Sequence, residues 1–288
     1  MNPALVELST PHRRVRMFRA GEEVDCFVVL TRRYAVVVDT FGTPEEAAQV
    51  MEAARADLEG RQLLVINTHQ HYDHAWGNAV FALDGPYPAS ILAHEKGLAA
   101  ARASTGKLAT KQAQEARFAN VRIAQPTLTF NEQFQIHGGD LSLELIPAPG
   151  HAEDQVVMWI PEIKTLLAAD ALEFPFPEVE VPDQLSVLLQ TIQTLKTLGA
   201  TTILPCHGGR RGPELISRNL GYFATLERHL QHTKPQLPEG WEAREDLPQL
   251  VGLPFEGIVS EMGLNPAQVP DLYREFHRIN VRATLMNL

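Results

Sequence analysis

The chain has 288 residues, 44% of them hydrophobic, and 25 Lys and Arg against 35 Asp and Glu give a formal net charge of −10 at pH 7. That acidity excludes a general nucleic-acid binder, whose footprint is basic, and a protein that docks on anionic lipid. No apolar run approaches the ~20 residues that span a bilayer, two cysteines, Cys26 and Cys206, cannot build a disulfide scaffold, and the length allows one large domain or two small ones.

The opening Met1-Asn2-Pro3-Ala4-Leu5 lacks the basic start and apolar stretch of a signal peptide, so a cytoplasmic location is expected. Val- and Phe-rich stretches predict strands over 15–18, 25–30 and 34–39. Thr43 then suits an N-cap, Pro44 the first helical position and Glu46 a capping box. The stripe Ala47, Val50, Met51, Ala54, Leu58 predicts a helix that Gly60 ends. A short buried strand over 63–67 continues into 68–74. A helix over 75–83, a Gly85-Pro86 turn and a strand over 90–93 follow. The Ala-, Lys- and Gln-rich stretch 94–120 predicts helix, broken near Thr105-Gly106. Short strands return over 128–130, 134–136, 141–146, 156–160 and 165–168. An amphipathic helix over 182–198, a strand over 202–204 and a helix over 213–232 complete this part. Residues 234–240 carry two prolines and a glycine and read as a linker. The tail 241–288 is mainly helical, most clearly over 266–283. Strands followed by helices, twice over, predict two β-rich halves flanked by helices.

Chemistry concentrates in Thr68-His69-Gln70-His71-Tyr72-Asp73-His74. An extended backbone sends residues i and i+2 to one face, so His69, His71 and Asp73 are expected to converge at a strand end, with His74 following as the chain turns. Imidazole nitrogens and carboxylate oxygens suit zinc, iron or manganese. Four such groups in six positions need a cation to satisfy them. His151 after Pro149-Gly150, Asp170 after the apolar run 166–169, and His207 in Pro205-Cys206-His207-Gly208 each sit where a strand gives way to a loop, the usual place for site residues.

With these motifs in this order, the chain resembles the metallo-β-lactamase fold superfamily over about residues 15–230. The resemblance rests on His69-x-His71-x-Asp73-His74, Pro149-Gly150-His151, Ala169-Asp170 and Cys206-His207-Gly208. Asp39, closing the strand Val36-Val37-Val38, matches the family's early structural aspartate. The resemblance implies an α/β fold: a four-layer αβ/βα sandwich of two mixed β-sheets flanked by helices, with the metals at one edge between the sheets. It implies a catalytic domain over 1–235 and a C-terminal helical extension, 236–288, packed on it. It also implies two divalent metal ions, zinc first, with iron and manganese also compatible. His69, His71 and His151 hold one, Asp73, His74 and His207 the second, and Asp170 bridges them.

Asp170 sets the chain apart from enzymes that act on β-lactams, which typically lack the bridging aspartate. It aligns the chain with hydrolases that resemble glyoxalase II, with lactonases and with phosphodiesterases. The expected function is a metal-dependent hydrolase of a small-molecule ester, lactone or thioester. A shared water, its pKa lowered by the two cations, attacks as hydroxide; Asp73 orients it. The separation of 77 positions from His74 to His151 argues against a glutathione thioester. The alternatives are an oxygenase with one iron, resembling the persulfide dioxygenases, and a small-molecule phosphodiesterase. No long nucleic acid and no membrane are expected as partners.

Other residues carry two readings each. Tyr72 either assists catalysis at an oxyanion or leaving group or packs beside the site. Trp76 is expected to pack under the motif. Phe174 and Phe176 either wall an apolar substrate or pack their own loop, and Arg210 and Arg211 either meet an anionic substrate or edge a solvated loop. Cys206 is expected to be a buried small hydrophobe. His12, His94, His137, His229, His232 and His277 are expected to be packing or surface residues. The tail helix near Tyr273 to Asn280 either covers the pocket or joins two copies in a homodimer.

Overall fold

The computed structural model describes residues 4–21, 24–209 and 211–288. Its strands form two sheets, of seven and five strands. The chain divides into two compact units, Met1–Ala148 with Glu153–Ala169, and Pro149–Ala152 with Asp170–Leu288.

The first unit begins with a meander of four antiparallel strands, β1 (Leu5–Leu8), β2 (Val15–Ala20), β3 (Val24–Leu30) and β4 (Tyr34–Val38). β1, which the sequence pattern does not announce, is short and largely exposed at the sheet edge. From β4 onward the pairing is parallel, which requires a crossover between successive strands. The crossovers are α1 (Pro44–Ala53) before β5 (Gln62–Ile66), α2 (Tyr72–Ala75) before β6 (Ser90–His94), and α3 (Gly97–Gln114) before β7 (Leu128–Phe130). α1 starts as its sequence predicts: the Thr43 side chain accepts the Glu46 N–H and Pro44 opens the helix, while Ala47, Val50 and Met51 are buried. It ends at Ala53, and a 3-10 turn over Arg55–Leu58 carries the chain to Gly60.

α3 runs unbroken through Gly106, against the expected break. A glycine inside a helix costs only about 1 kcal/mol. Ala101 and Ser104 before it and Leu108 after it are buried, so packing on both sides carries the helix across. The unit also holds β8 (Phe134–His137), β9 (Ser142–Pro147), β10 (Val156–Ile160) and β11 (Thr165–Ala169), antiparallel throughout. β3, β10 and β11 are buried on both faces, which explains their continuous apolar runs.

The second unit contains α4 (Leu185–Lys196), β12 (Thr202–Pro205), α5 (Glu214–Thr233), α6 (Leu247–Leu250), α7 (Phe255–Glu261) and α8 (Leu272–Met286). α5 buries Leu215, Asn219, Tyr222, Leu226 and Leu230, a face at helical spacing. α8 buries Tyr273, His277, Asn280, Val281 and Thr284 in the same way. The two helices share a polar core. His277 Nε2 lies 2.8 Å from the Leu253 carbonyl, so that nitrogen carries the proton and Nδ1 accepts the Tyr222 O–H at 2.9 Å. Asn280 donates to the Pro177 carbonyl at 2.9 Å and accepts the Val179 N–H at 2.9 Å. The tail beyond residues 234–240 is therefore tied into the second unit by buried hydrogen bonds, which are costly to break. Among the described residues no helix is long and apolar enough to cross a membrane.

Candidate metal centre

In the first unit the parallel strands β4 and β5 end side by side; the carboxyl end of β4 leads into Asp39 and that of β5 into the histidine motif, the usual position of a site in such sheets. Asp39 follows β4 with φ 64°, a left-handed conformation that Asp tolerates better than most residues. It is buried, and its two oxygens accept the Thr68 N–H (2.7 Å), the Thr68 O–H (2.8 Å) and His74 Nδ1–H (2.9 Å). A carboxylate on Nδ1 fixes the tautomer and leaves the His74 Nε2 lone pair as the donor. His69 lies beside it, ring centroids 4.0 Å apart, and His71 is 4.5 Å from His69. His74 Nε2 is 3.7 Å from Asp73 Oδ2.

The motif is extended only in part. β5 stops at Ile66, and α2 begins at Tyr72, with the His74 and Ala75 N–H groups both directed to the His71 carbonyl. Asp73 is thus brought round by a helical turn and not by strand alternation. Beneath the loop, Asn67 and Asn78 exchange side-chain hydrogen bonds at 3.0 and 2.8 Å, Gln70 donates to Asn67 at 3.3 Å, and Thr40 donates to Asn78 at 3.0 Å. Gly77 lies so close to Thr40 that a Cβ there would sit 1.9 Å from the Thr40 carbonyl oxygen. Sequence reasoning passed over Asn67, Gln70, Gly77 and Asn78, whose spacing carries no ligand pattern.

Tyr72 stands edge-on to Trp76 and Phe118, 5.7 and 5.9 Å between centroids, with the Lys111 ammonium 4.0 Å above its ring. Trp76 is buried with Leu108, Phe118 and Val121, as its packing role predicts. Asp154 is a further buried acid in this unit. Burial pushes its carboxyl above the ordinary range, partly offset by His71.

In the second unit, His151, Asp170 and His207 come together from three separate loops. Gly150, φ 133°, passes so near α4 that a Cβ would meet Leu188 Cα at 2.4 Å, and Thr191 donates to the Pro149 carbonyl at 2.7 Å. These contacts set the backbone from which His151 projects. His151 Nδ1 faces the Glu178 carbonyl at 3.2 Å. His151 Nε2 and His207 Nε2 each lie 3.5 Å from the same atom, Asp170 Oδ2.

That spacing exceeds an ordinary N–H···O hydrogen bond. It matches the edge of a coordination polyhedron, since ligands about 2.0–2.1 Å from a tetrahedral ion stand roughly 3.3–3.4 Å apart. Glu173, absent from the sequence-based ligand set, is also here; His151, Asp170 and Glu173 offer ligand atoms within 4.8 Å of one another. Burial pushes the Glu173 carboxyl well above the ordinary range; His207 pulls it down and Asp170 pushes it further up. Two imidazoles beside two buried carboxylates offer the nitrogen and oxygen donors that suit a divalent cation.

Phe176 is fully buried and stacks on Tyr222, centroids 4.0 Å apart and planes 5° from parallel, so it packs its own unit. Phe174 is half-buried under the Arg211 guanidinium, 3.8 Å from its ring centre. Arg210 lies outside the described residues. Cys206 is buried, as expected. His277 and His94 are buried packing residues.

The sequence model of the metallo-beta-lactamase superfamily matches residues 19–207. Among curated proteins the chain is similar to the acyl-coenzyme A thioesterase MBLAC2 of Bos taurus, 24% identical, covering 70% of this chain and 79% of that protein. Among solved structures it is similar to a metallo-beta-lactamase family protein from Thermus thermophilus, with TM-score 0.61, 19% identity, and 99% of this chain and 92% of that one covered. It is also similar to a metallo-beta-lactamase from Pontibacter korlensis, with TM-score 0.58, 20% identity, and 76% and 98% covered. These likenesses show a shared fold: two sheets flanked by helices, as the sequence implied.

Proposed function

The chain belongs to the metallo-beta-lactamase superfamily, and from that membership and the chemistry of its two side-chain clusters we propose that it is a dinuclear metal-dependent hydrolase of small acyl esters, thioesters first. In this reading His69, His71 and His151 hold one divalent cation, Asp73, His74 and His207 the other, and Asp170 serves both. The observation that carries it is Asp170 Oδ2, one carboxylate oxygen at 3.5 Å from two imidazole nitrogens. A thioester is favoured among acyl compounds because the curated relative is a thioesterase.

Bound to these residues, two cations supply an acidic water as nucleophile and Lewis-acid polarisation of the acyl carbonyl. The protein's own groups do the rest. Asp39 and the Glu178 carbonyl hold His74 and His151 with Nε2 as the donor. Asp73, largely buried in the first turn of α2, would accept a hydrogen bond from that water and fix its direction. The Tyr72 phenol donates to the carbonyl oxygen or the leaving group. No Ser or Cys nucleophile is required.

The test pairs metal analysis of the purified protein with a panel of acyl-CoA thioesters, lactones, aryl esters and phosphodiesters. The expected result is two metals per chain and acyl hydrolysis that chelation removes and added zinc restores. A single iron per chain with oxygen consumption, or turnover of phosphodiesters alone, would overturn this reading.

A further inference from the structure

Glu173 is three residues beyond Asp170 and has no part in the ligand set above. Its backbone is clamped by Asn219: the Glu173 N–H donates to Asn219 Oδ1 at 3.2 Å, and Asn219 Nδ2 donates to the carbonyls of Glu173 and Pro175 at 2.8 and 3.1 Å. Its side chain is held from α8, where the Tyr273 O–H donates to Oε2 at 3.0 Å. Glu173, Asn219 and Tyr273 are all buried. The second oxygen, Oε1, is buried and accepts no hydrogen bond among the described residues. The ligand atoms of His151 and Asp170 lie within 4.8 Å of that of Glu173.

A structural acid that only tied α8 to this loop would use Oε2 and turn Oε1 to a donor or to water, since a buried acceptor left unmatched is costly. Here one oxygen is fixed, the other is buried without a hydrogen bond among the described residues, and a carboxylate oxygen of this residue lies within 4.8 Å of an imidazole nitrogen and a second carboxylate. That division of labour is how a metal-binding carboxylate is oriented, one oxygen anchored and one presented.

We propose that Glu173 is a further oxygen donor to a divalent cation at His151 and Asp170, and that Tyr273 is its positioning residue, so that the C-terminal helix takes part in building the metal centre. The inference rests on the metal-dependent reading above. Its ligand is the cation itself.

The experiment titrates chelator-stripped, full-length protein with zinc by calorimetry and records melting curves with and without the metal. Wild type is expected to take two equivalents. Glu173→Gln, which keeps the shape and the acceptor for Tyr273, is expected to weaken one equivalent by about 10- to 100-fold and to shrink the metal-induced rise in Tm. Its metal-free Tm is expected to stay at or above that of wild type. Tyr273→Phe leaves the acid in place and is expected to weaken the same equivalent by about tenfold; it decides the matter if Glu173→Gln does not fold. Two equivalents at wild-type affinity in Glu173→Gln, or unchanged affinity in Tyr273→Phe, would overturn the proposal while the metal reading stands. A wild-type chain that takes up no divalent cation would overturn both.

Discussion

The histidine cluster of the first unit and the acid-rich cluster of the second are built on opposite principles. The first is a single stretch of chain, and hydrogen bonds hold it: Asp39 binds both Thr68 and His74, and Asn67 and Asn78 lock the loop beneath. The second draws His151, Asp170 with Glu173, and His207 from three separate loops and places two acids in the interior. Hydrogen bonds within and just beside one stretch of chain pre-organise the first cluster, whereas the second brings two buried acids close together, so that each disfavours the charge of the other. The first is expected to keep its shape when metal is removed and the second to loosen.

The sharpest way to break this contrast is to remove a proposed ligand from each side. His71→Ala and Asp170→Ala are both expected to abolish turnover. They should part company in stability: metal-free Asp170→Ala is expected to melt at or above metal-free wild type, because the like charge beside Glu173 has gone, while His71→Ala stays near it. Melting curves of chelated proteins check this, and a large loss of Tm in Asp170→Ala would remove the contrast.

Next in size is Asp39→Ala. It deletes the anchor of His74 and leaves Thr68 without its acceptor. Metal affinity is expected to fall about 10- to 100-fold, with activity following. Wild-type affinity by zinc titration would show that the hydrogen-bonded scaffold does not orient the ligand.

A pH series sharpens the account of the second unit. Burial holds the His277 pKa at about 4, against an ordinary 6.5. The unfolded chain takes up this proton between those values and the folded chain does not. Stability is therefore complete above about pH 6.5 and falls as pH drops toward 4, by up to about 3 kcal/mol. In chelated protein, His277→Gln should flatten the fall over that window, and an unchanged slope would exclude His277 as its source. The smallest effect is expected of Tyr72→Phe: a loss of about tenfold in kcat from one missing hydrogen bond, with Tm unchanged. A loss below twofold would confine Tyr72 to packing against Trp76 and Phe118.

The same contrast explains what the sequence made legible. His69, His71, Asp73 and His74 declare themselves because four donors fall within six positions. His151, Asp170 and His207 stand alone in their stretches and are read only through the ordered family motifs. Glu173 shows no pattern that separates it from Glu178 or Glu180; its place depends on Tyr273, one hundred residues away in sequence. Asn78 and Gly77 matter through contacts with Thr40 and Asn67, which no local period encodes. Strand alternation misdescribed Asp73, since the hydrogen bonds to the His71 carbonyl turn the chain into α2. The apolar runs of β3, β10 and β11 were legible because burial on both faces leaves a continuous signature.

In the proposed reading the two clusters jointly hold two divalent cations. Anomalous diffraction at the zinc edge, from crystals of the zinc-loaded protein, tests it most directly. Two peaks are expected, one ligated by His69, His71 and His151, the other by Asp73, His74 and His207, with Asp170 touching both. A single peak confined to one cluster, or none, would contradict it.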